Sequence, residues 1–387
     1  METTTLFDIP KTVGDYILQE PIGSGAYSKV YSAQHKVKDE MIVIKVISKN
    51  LIKTTVDIEH LQREVSVMQK LKHPNIVNFY DFIEDSNNYY LEMEYVNGIT
   101  LLDYVNDSNV LPEPIVIRVF LQLMNAIAYL HSNNIAHRDL KLENVMVDQY
   151  KTVKVLDFGF CNYYNDNQQL FTTYCGSLNY AAPEIILQNP YKGCCADIWS
   201  LGVILYALVT AELPWPTENV HQMVNCIKEA EFTVPVSISA RCSSLIKQML
   251  VADPDNRLTA QEVLCHPFLC GTVSSSKSMQ GRQLSLSTSS FIIVSKKRQR
   301  SSLKRVPVIT KPFKDGCGMG LVRSGSRNVF ASGKSLLLRL CDDVSSARGG
   351  NYGQVRNMRF RSASVGAKDV PSDLDYGSRS PLAANFE

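Results

Sequence analysis

The sequence predicts a two-lobed α+β fold: a small β-rich lobe with one main helix, a larger α-rich lobe, and a basic, largely disordered tail. Three observations predict it. Short β-like runs crowd the first hundred residues, helical apolar spacing dominates from 114 to 252, and after His266-Pro267-Phe268 the composition turns to Ser, Arg, Lys and Gly.

Taken in order, Tyr16-Ile17-Leu18, Lys29 to Ala33 and Met41 to Ile47 read as strands of a small antiparallel sheet, broken by glycine and charge. A helix is predicted from Asp57 to Leu71, with Ile58, Leu61, Val65, Met68 and Leu71 on one apolar face and His73-Pro74 ending it. Phe79 to Ile83 and Tyr89 to Tyr95 add two strands. Beyond Asn97-Gly98, helices are predicted at Pro114 to Ser132, Cys195 to Glu212, Val220 to Glu229 and Ala240 to Ala252. Short strands at Val145 to Val147 and Val153 to Leu156 lie between the first two. A cleft between two such lobes is a favoured place for a ligand.

The bulk composition agrees. With 387 residues, 45% hydrophobic and 20% charged, the chain has enough apolar material for a sizeable core, and global disorder is excluded. The net charge of +2 hides an asymmetry: 20 basic against 31 acidic residues over 1–270, net −11, and 20 against 7 over 271–387, net +13. The ten cysteines form no C-x-x-C pair, so reduced, buried thiols are expected and not a zinc or disulfide framework. Met1 to Lys11 has no basic region followed by an apolar one, and no membrane span is expected, because Ile198 to Leu213 is short and interrupted. A cytoplasmic protein is the expectation, with Lys296 to Arg305 a candidate nuclear-import patch.

Gly23-Ser24-Gly25-Ala26-Tyr27-Ser28 lies between two strands, where backbone N–H groups of a glycine hairpin can approach triphosphate oxygens with no β-carbon in the way. A plain glycine turn reads the same way. Val30 follows, and Lys45 ends Ile42-Val43-Ile44 on the next apolar strand, where it needs a counter-charge that Glu64 on the helix can supply. The decisive run is Ala136-His137-Arg138-Asp139-Leu140-Lys141-Leu142-Glu143-Asn144, followed thirteen residues after Asn144 by Asp157-Phe158-Gly159. Ala182-Pro183-Glu184, Asp197-Ile198-Trp199 and Asp253-Pro254-Asp255-Asn256-Arg257 complete the set.

On these motifs the chain resembles the eukaryotic protein kinase family from Tyr16 to Phe268. The resemblance implies a kinase domain over 16–270, divided into a small lobe (16–96) and a large lobe (97–270), between an N-terminal extension (1–15) and the tail (271–387). It implies transfer of a phosphoryl group from Mg-ATP to Ser or Thr of protein substrates. Asp139 would accept or orient the substrate's proton, Lys141 would neutralise charge on the moving group, and Lys45, paired with Glu64, would hold α- and β-phosphates. Asn144 and Asp157 would hold Mg2+. Ile22, Gly23, Gly25, Val30, Val43, Lys45, Met93, Glu94, Val96 and Met146 would surround the nucleotide, Met93 as gatekeeper and Glu94 and Val96 through backbone groups. Val43 departs from the usual alanine.

Lys141 is the Ser/Thr form of the catalytic loop, with Ser177 expected to bond to it. The stretch from Thr172 to Glu184 resembles the calcium/calmodulin-dependent group, in its AMP-activated-kinase-like and testis-specific branches. Activation by an upstream kinase at Thr173 is thereby implied, the phosphate bridging Arg138 and His60. Glu143 matches a carboxylate that basophilic kinases use, while Thr100 and Ala207 replace two others, so a mild basic preference is expected. The tail holds Arg282-x-x-Ser285, Arg298-x-x-Ser301, Arg323-x-x-Ser326 and Arg361-x-x-Ser364, candidate sites for a phospho-motif binder, and a calmodulin target at Phe291 to Arg305 is a lesser reading. The alternative function is a pseudokinase scaffold or regulatory binding module, disfavoured by the intact Lys45, Glu64, Asp139, Asn144 and Asp157. A nucleic-acid role lacks a paired motif or aromatic platform.

Overall fold

The computed structural model describes residues 9–25, 28–108, 110–165 and 169–271, together with the backbone of 304–305. The small lobe is a sheet of β1 (Thr12–Val13), β2 (Tyr16–Ser24), β3 (Ser28–His35), β4 (Met41–Ser48), β5 (Phe79–Glu84) and β6 (Asn88–Glu94), with the helix α1 (Thr55–Lys70) inserted between β4 and β5. The spatial order is β1-β2-β3-β4-β6-β5, antiparallel throughout. Strand alternation explains its two faces. Ile42, Ile44 and Val46 of β4 are buried with Tyr16, Tyr31, Ala33 and Tyr90, whereas Val43 and Lys45 point to the other side.

Helix α1 starts at a capping box: Thr54 Oγ1 accepts from Asp57 N–H and the Asp57 carboxylate accepts from Thr54 N–H. It begins two residues earlier than the apolar spacing predicts, because the cap and not the first apolar residue sets the start. Leu61, Val65, Met68 and Leu71 are buried as predicted, but Ile58, in the first turns, is 39% exposed, and Val67 is buried instead.

The large lobe opens with β7 (Gly98–Thr100) and α2 (Leu101–Ser108), followed by the long α3 (Glu113–Ser132) and β8 (Ile135–Ala136). The hairpin of β9 (Val145–Asp148) and β10 (Val153–Val155) pairs with β7, and β11 (Asn162–Tyr163) pairs with β8. Then come α4 (Pro183–Ile186), α5 (Gly193–Thr210), α6 (Val220–Glu229), α7 (Ala240–Met249), α8 (Ala260–Cys265) and α9 (Pro267–Cys270). The helices α3 and α5 are long and apolar enough to cross a bilayer, contrary to the reading of the sequence. Both are core helices here: Phe120, Leu123, Ile127, Trp199, Ile204 and Leu208 are fully buried.

The eight described cysteines are free, but only Cys161, Cys175 and Cys242 are buried, while Cys265 and Cys270 are exposed. Burial of thiols is thus narrower than the sequence reading expects. In the tail, β12 (Lys304–Arg305) runs antiparallel to the outer edge of β5, at Glu84 and Ile83. The remaining tail motifs lie outside the described residues.

Candidate active site

Strand register gathers the predicted nucleotide-facing residues. Gly23 stands opposite Val30, Val30 opposite Lys45, and Val43 opposite Met93. Opposed residues on antiparallel strands share a face, so Val30, Val43, Lys45 and Met93 line one side of the sheet. The β2–β3 turn closes through Gly25 N–H to the Ser28 carbonyl at 2.7 Å; Ala26 and Tyr27 at its tip lie outside the described residues. Ile22 before it is 56% exposed. The chain leaves the small lobe after Glu94 and passes Val96 to β7, which pairs with β9 and sets Met146 beside Thr100.

Lys45 Nζ lies 2.7 Å from Glu64 Oε1 and 3.2 Å from Asp157 Oδ1. Burial works against the Lys45 ammonium, but Asp157 and Glu64 outweigh it and hold its pKa above the ordinary value. The attraction of Lys45 in turn holds the Asp157 carboxyl at about 2. Glu64 moves the other way: burial raises it, against the pull of Lys45. Gly159 lies against this cluster: a β-carbon there would be in ordinary contact with Asp157 Oδ1 at 3.4 Å and Lys45 Nζ at 3.9 Å.

The catalytic loop is tied down by one buried carboxylate. Asp197 accepts from the backbone N–H of His137 and of Arg138, both at 2.8 Å, and pairs with His131 Nε2 at 2.9 Å. These bonds support Arg138 at φ 65°, a conformation costly for a non-glycine residue. His137 Nε2 lies 3.2 Å from the Leu156 carbonyl, which only accepts, so Nε2 carries the proton and Nδ1 accepts from Asp139 N–H.

Asp139 sits at the centre of the loop. Its Oδ2 accepts from Lys141 Nζ at 2.7 Å and Asn144 Nδ2 at 3.0 Å, and its Oδ1 accepts from Ser177 Oγ at 3.2 Å. Lys141 also donates to Ser177 Oγ at 3.1 Å, as the resemblance implied. Gly176 has φ +100°, and a β-carbon there would come within 2.8 Å of the Arg138 carbonyl, so the turn before Ser177 requires glycine. Glu143 is exposed beside the loop.

Thr173 is exposed, and its carbonyl accepts a 2.9 Å bond from the Tyr191 hydroxyl, which in turn accepts from Arg138 Nη1 at 3.4 Å. The Arg138 guanidinium stacks over Phe171 and donates to the Phe160 carbonyl, with no carboxylate partner among its described contacts. His60 on α1 is held below the ordinary histidine value by burial and by two cations, Arg63 and Arg138. Tyr191 and Arg63 were not singled out from the sequence. A tyrosine in Asn189-Pro190-Tyr191 and an arginine one residue before Glu64 carry no signal until the fold brings them to Arg138. Further away, Arg257 donates to both oxygens of Glu184 at 2.7 and 2.6 Å, fully buried.

The donor set fits a magnesium-bound nucleotide. Magnesium takes hard oxygen ligands and keeps phosphate and water in its shell, so one carboxylate and one amide oxygen suffice from the protein. Asp157 is ionised, and Asn144 directs its Nδ2 to the Asp139 carbonyl and carboxylate, which turns its Oδ1 away from them. No cluster of three His, Cys, Asp or Glu that could hold a metal without a nucleotide occurs among the described residues.

The comparisons agree with this geometry. The family model described as protein kinase domain matches residues 16–269. A probable serine/threonine-protein kinase MARK-A of Dictyostelium discoideum is 39% identical over 262 residues, covering 67% of this chain and 24% of that protein. Serine/threonine-protein kinase SIK2 of Gallus gallus is 36% identical over 260 residues, 67% of this chain and 32% of the relative. The SNF1-related protein kinase catalytic subunit alpha KIN12 of Arabidopsis thaliana is 39% identical over 254 residues, 66% and 51%. The chain thus spans between a quarter and a half of the length of these curated relatives. With the family model matching more than half of its length, the chain belongs to the protein kinase domain family, among relatives of the AMP-activated-kinase-like branch.

Proposed function

We propose that this chain is a serine/threonine protein kinase that transfers the γ-phosphoryl group of Mg-ATP to protein substrates and is activated by phosphorylation of Thr173. The observation that carries the reading is the juxtaposition of two clusters, Lys45 with Glu64 and Asp157, and Asp139 with Lys141, Asn144 and Ser177, tied together by the Leu156 N–H bond to the Asn144 carbonyl at 2.8 Å. Asp139 orients the acceptor hydroxyl and receives its proton. Lys141, already 2.7 Å from Asp139, is placed to stabilise charge on the group in transit. Lys45 grips phosphate oxygens while Glu64 holds it in place. A magnesium ion held by Asn144 and Asp157 would neutralise the phosphate charge.

Substrates with basic residues before the acceptor are favoured by the exposed Glu143, more weakly than in kinases with several such acids. The test is radiolabelled ATP with a generic basic peptide and the full chain, compared with Asp139→Asn. Loss of transfer by about a hundredfold or more in the variant supports the reading, and equal transfer by both proteins overturns it.

A further inference from the structure

Glu94 does more than edge the nucleotide cleft with its backbone. It closes β6 where the chain leaves the small lobe, and its Oε2 accepts three hydrogen bonds: from Asn78 N–H at 3.0 Å, Asn78 Nδ2 at 2.8 Å and Lys154 Nζ at 2.9 Å. The donors come from both lobes. Asn78 directly precedes β5, and Lys154 is the middle residue of β10. Backbone bonds stitch the same two segments together, Val155 N–H to the Asn75 carbonyl at 2.8 Å and Val77 N–H to the Val155 carbonyl at 3.0 Å. The side chains of Lys154 and Glu94 are 14% and 22% exposed, so this ion pair is better shielded from water than a surface pair and worth correspondingly more.

The register of the β9–β10 hairpin sets Lys154 opposite Met146, so the two side chains rise from the same face. Lys154 therefore stands beside the apolar floor assigned to the adenine. It grips the carboxylate of the residue whose main chain forms the slot's edge. Fixing that side chain fixes the peptide it hangs from.

We propose that Lys154 and Asn78 are positioning residues for the nucleotide, acting through Glu94 to hold the inter-lobe connection at the bend in which its backbone meets the adenine edge. This rests on the reading of the cleft as an ATP site. Neither residue touches Asp139 or Lys45 in the contacts described above, so loss of the strap raises the KM for ATP and leaves the chemical step alone.

The test uses the full chain and its variants Lys154→Met, Lys154→Arg and Asn78→Ala, with a fluorescent ADP analogue titrated into each and steady-state kinetics in ATP and in peptide. Lys154→Met is expected to weaken analogue binding and raise the ATP KM by about five-fold or more, with kcat and peptide KM within about two-fold, on the scale of one charge-assisted bond felt indirectly. Lys154→Arg restores binding, and Asn78→Ala gives a smaller loss of the same kind. A merely structural role would instead lower kcat and the melting temperature together while leaving both KM values unchanged, and that pattern overturns the proposal. So does wild-type binding by folded Lys154→Met. Should Lys154→Met not fold, Lys154→Gln, which keeps a polar head and removes the charge, decides the matter by the same readout. Failure of the unmodified chain to bind the analogue would instead remove the nucleotide site itself, and the proposal with it.

Discussion

The hydroxyl of Tyr191 donates a 2.9 Å hydrogen bond to the carbonyl oxygen of Thr173, which holds the backbone of an exposed threonine within reach of the Arg138 guanidinium. A phosphate on Thr173 would meet a cation that has no carboxylate partner among its described contacts. Thr173→Ala is expected to lower peptide phosphorylation at least several-fold relative to enzyme treated with an activating kinase, and Tyr191→Phe to blunt the response to that treatment. Full transfer by enzyme stripped with a phosphatase would remove Thr173 from the account.

His60 reports on the same site. Burial and repulsion from Arg63 and Arg138 push it below the ordinary value, so the folded, unphosphorylated chain favours the neutral ring. The sign follows: the unfolded chain takes the proton first, and stability falls on acidification from about pH 6.5 down through the lowered folded value. A phosphate dianion reverses the field, and NMR titration should show His60 taking up its proton at higher pH on Thr173 phosphorylation. An unchanged titration would mean that the phosphate binds elsewhere.

Asp157 should be silent over the working range. Its carboxyl is held at about 2 by Lys45, so its contribution to stability is present above the unfolded value and is lost only as pH falls through about 2. The Mg2+ concentration for half-maximal activity is therefore expected to be flat between about pH 6 and 8, which are both far above this carboxyl. Lys45→Met removes the main cause of the lowered value, so the Asp157 carboxyl should move up from about 2, and about a hundredfold or more of kcat/KM should be lost. A magnesium requirement that titrates in the unmodified enzyme would contradict the assignment.

Arg257 and Glu184 make the best case for a purely structural ion pair. Both are buried and joined by two short bonds, so Arg257→Ala strands a carboxylate in the core. The expected cost is about 3–5 kcal/mol, or a fall in melting temperature of about 10 °C for a domain of this size. Calorimetry checks it, and Glu184→Gln should cost less because the amide still accepts one bond.

Much of this was legible in the sequence because strand alternation and fixed spacings encode it directly. Ile42 to Lys45 announce a strand with one face in the core and one in the cleft, and the run from His137 to Asn144 is short enough for its own geometry to persist. What was missed depends on partners distant in the chain. The β7 strand and α2 lie in a stretch rich in Asn and Asp, where local preference points to a loop and pairing with β9 overrides it. The two-residue β8–β11 pair has no periodicity to detect. Glu94 is read from the sequence for its backbone groups alone, and a role for its carboxylate emerges only when Lys154, sixty residues on, arrives beside it.

The contact between Lys45 and Glu64 joins β4 to α1 at 2.7 Å, so the position of the helix and that of the lysine are a single variable. Whatever changes activity through this pair does so by changing how often it is closed, not its form once closed. Each tenfold gain in that occupancy corresponds to about 1.4 kcal/mol of preference. Basal turnover, measured against the fully stimulated rate, then reads out the ratio of the two populations.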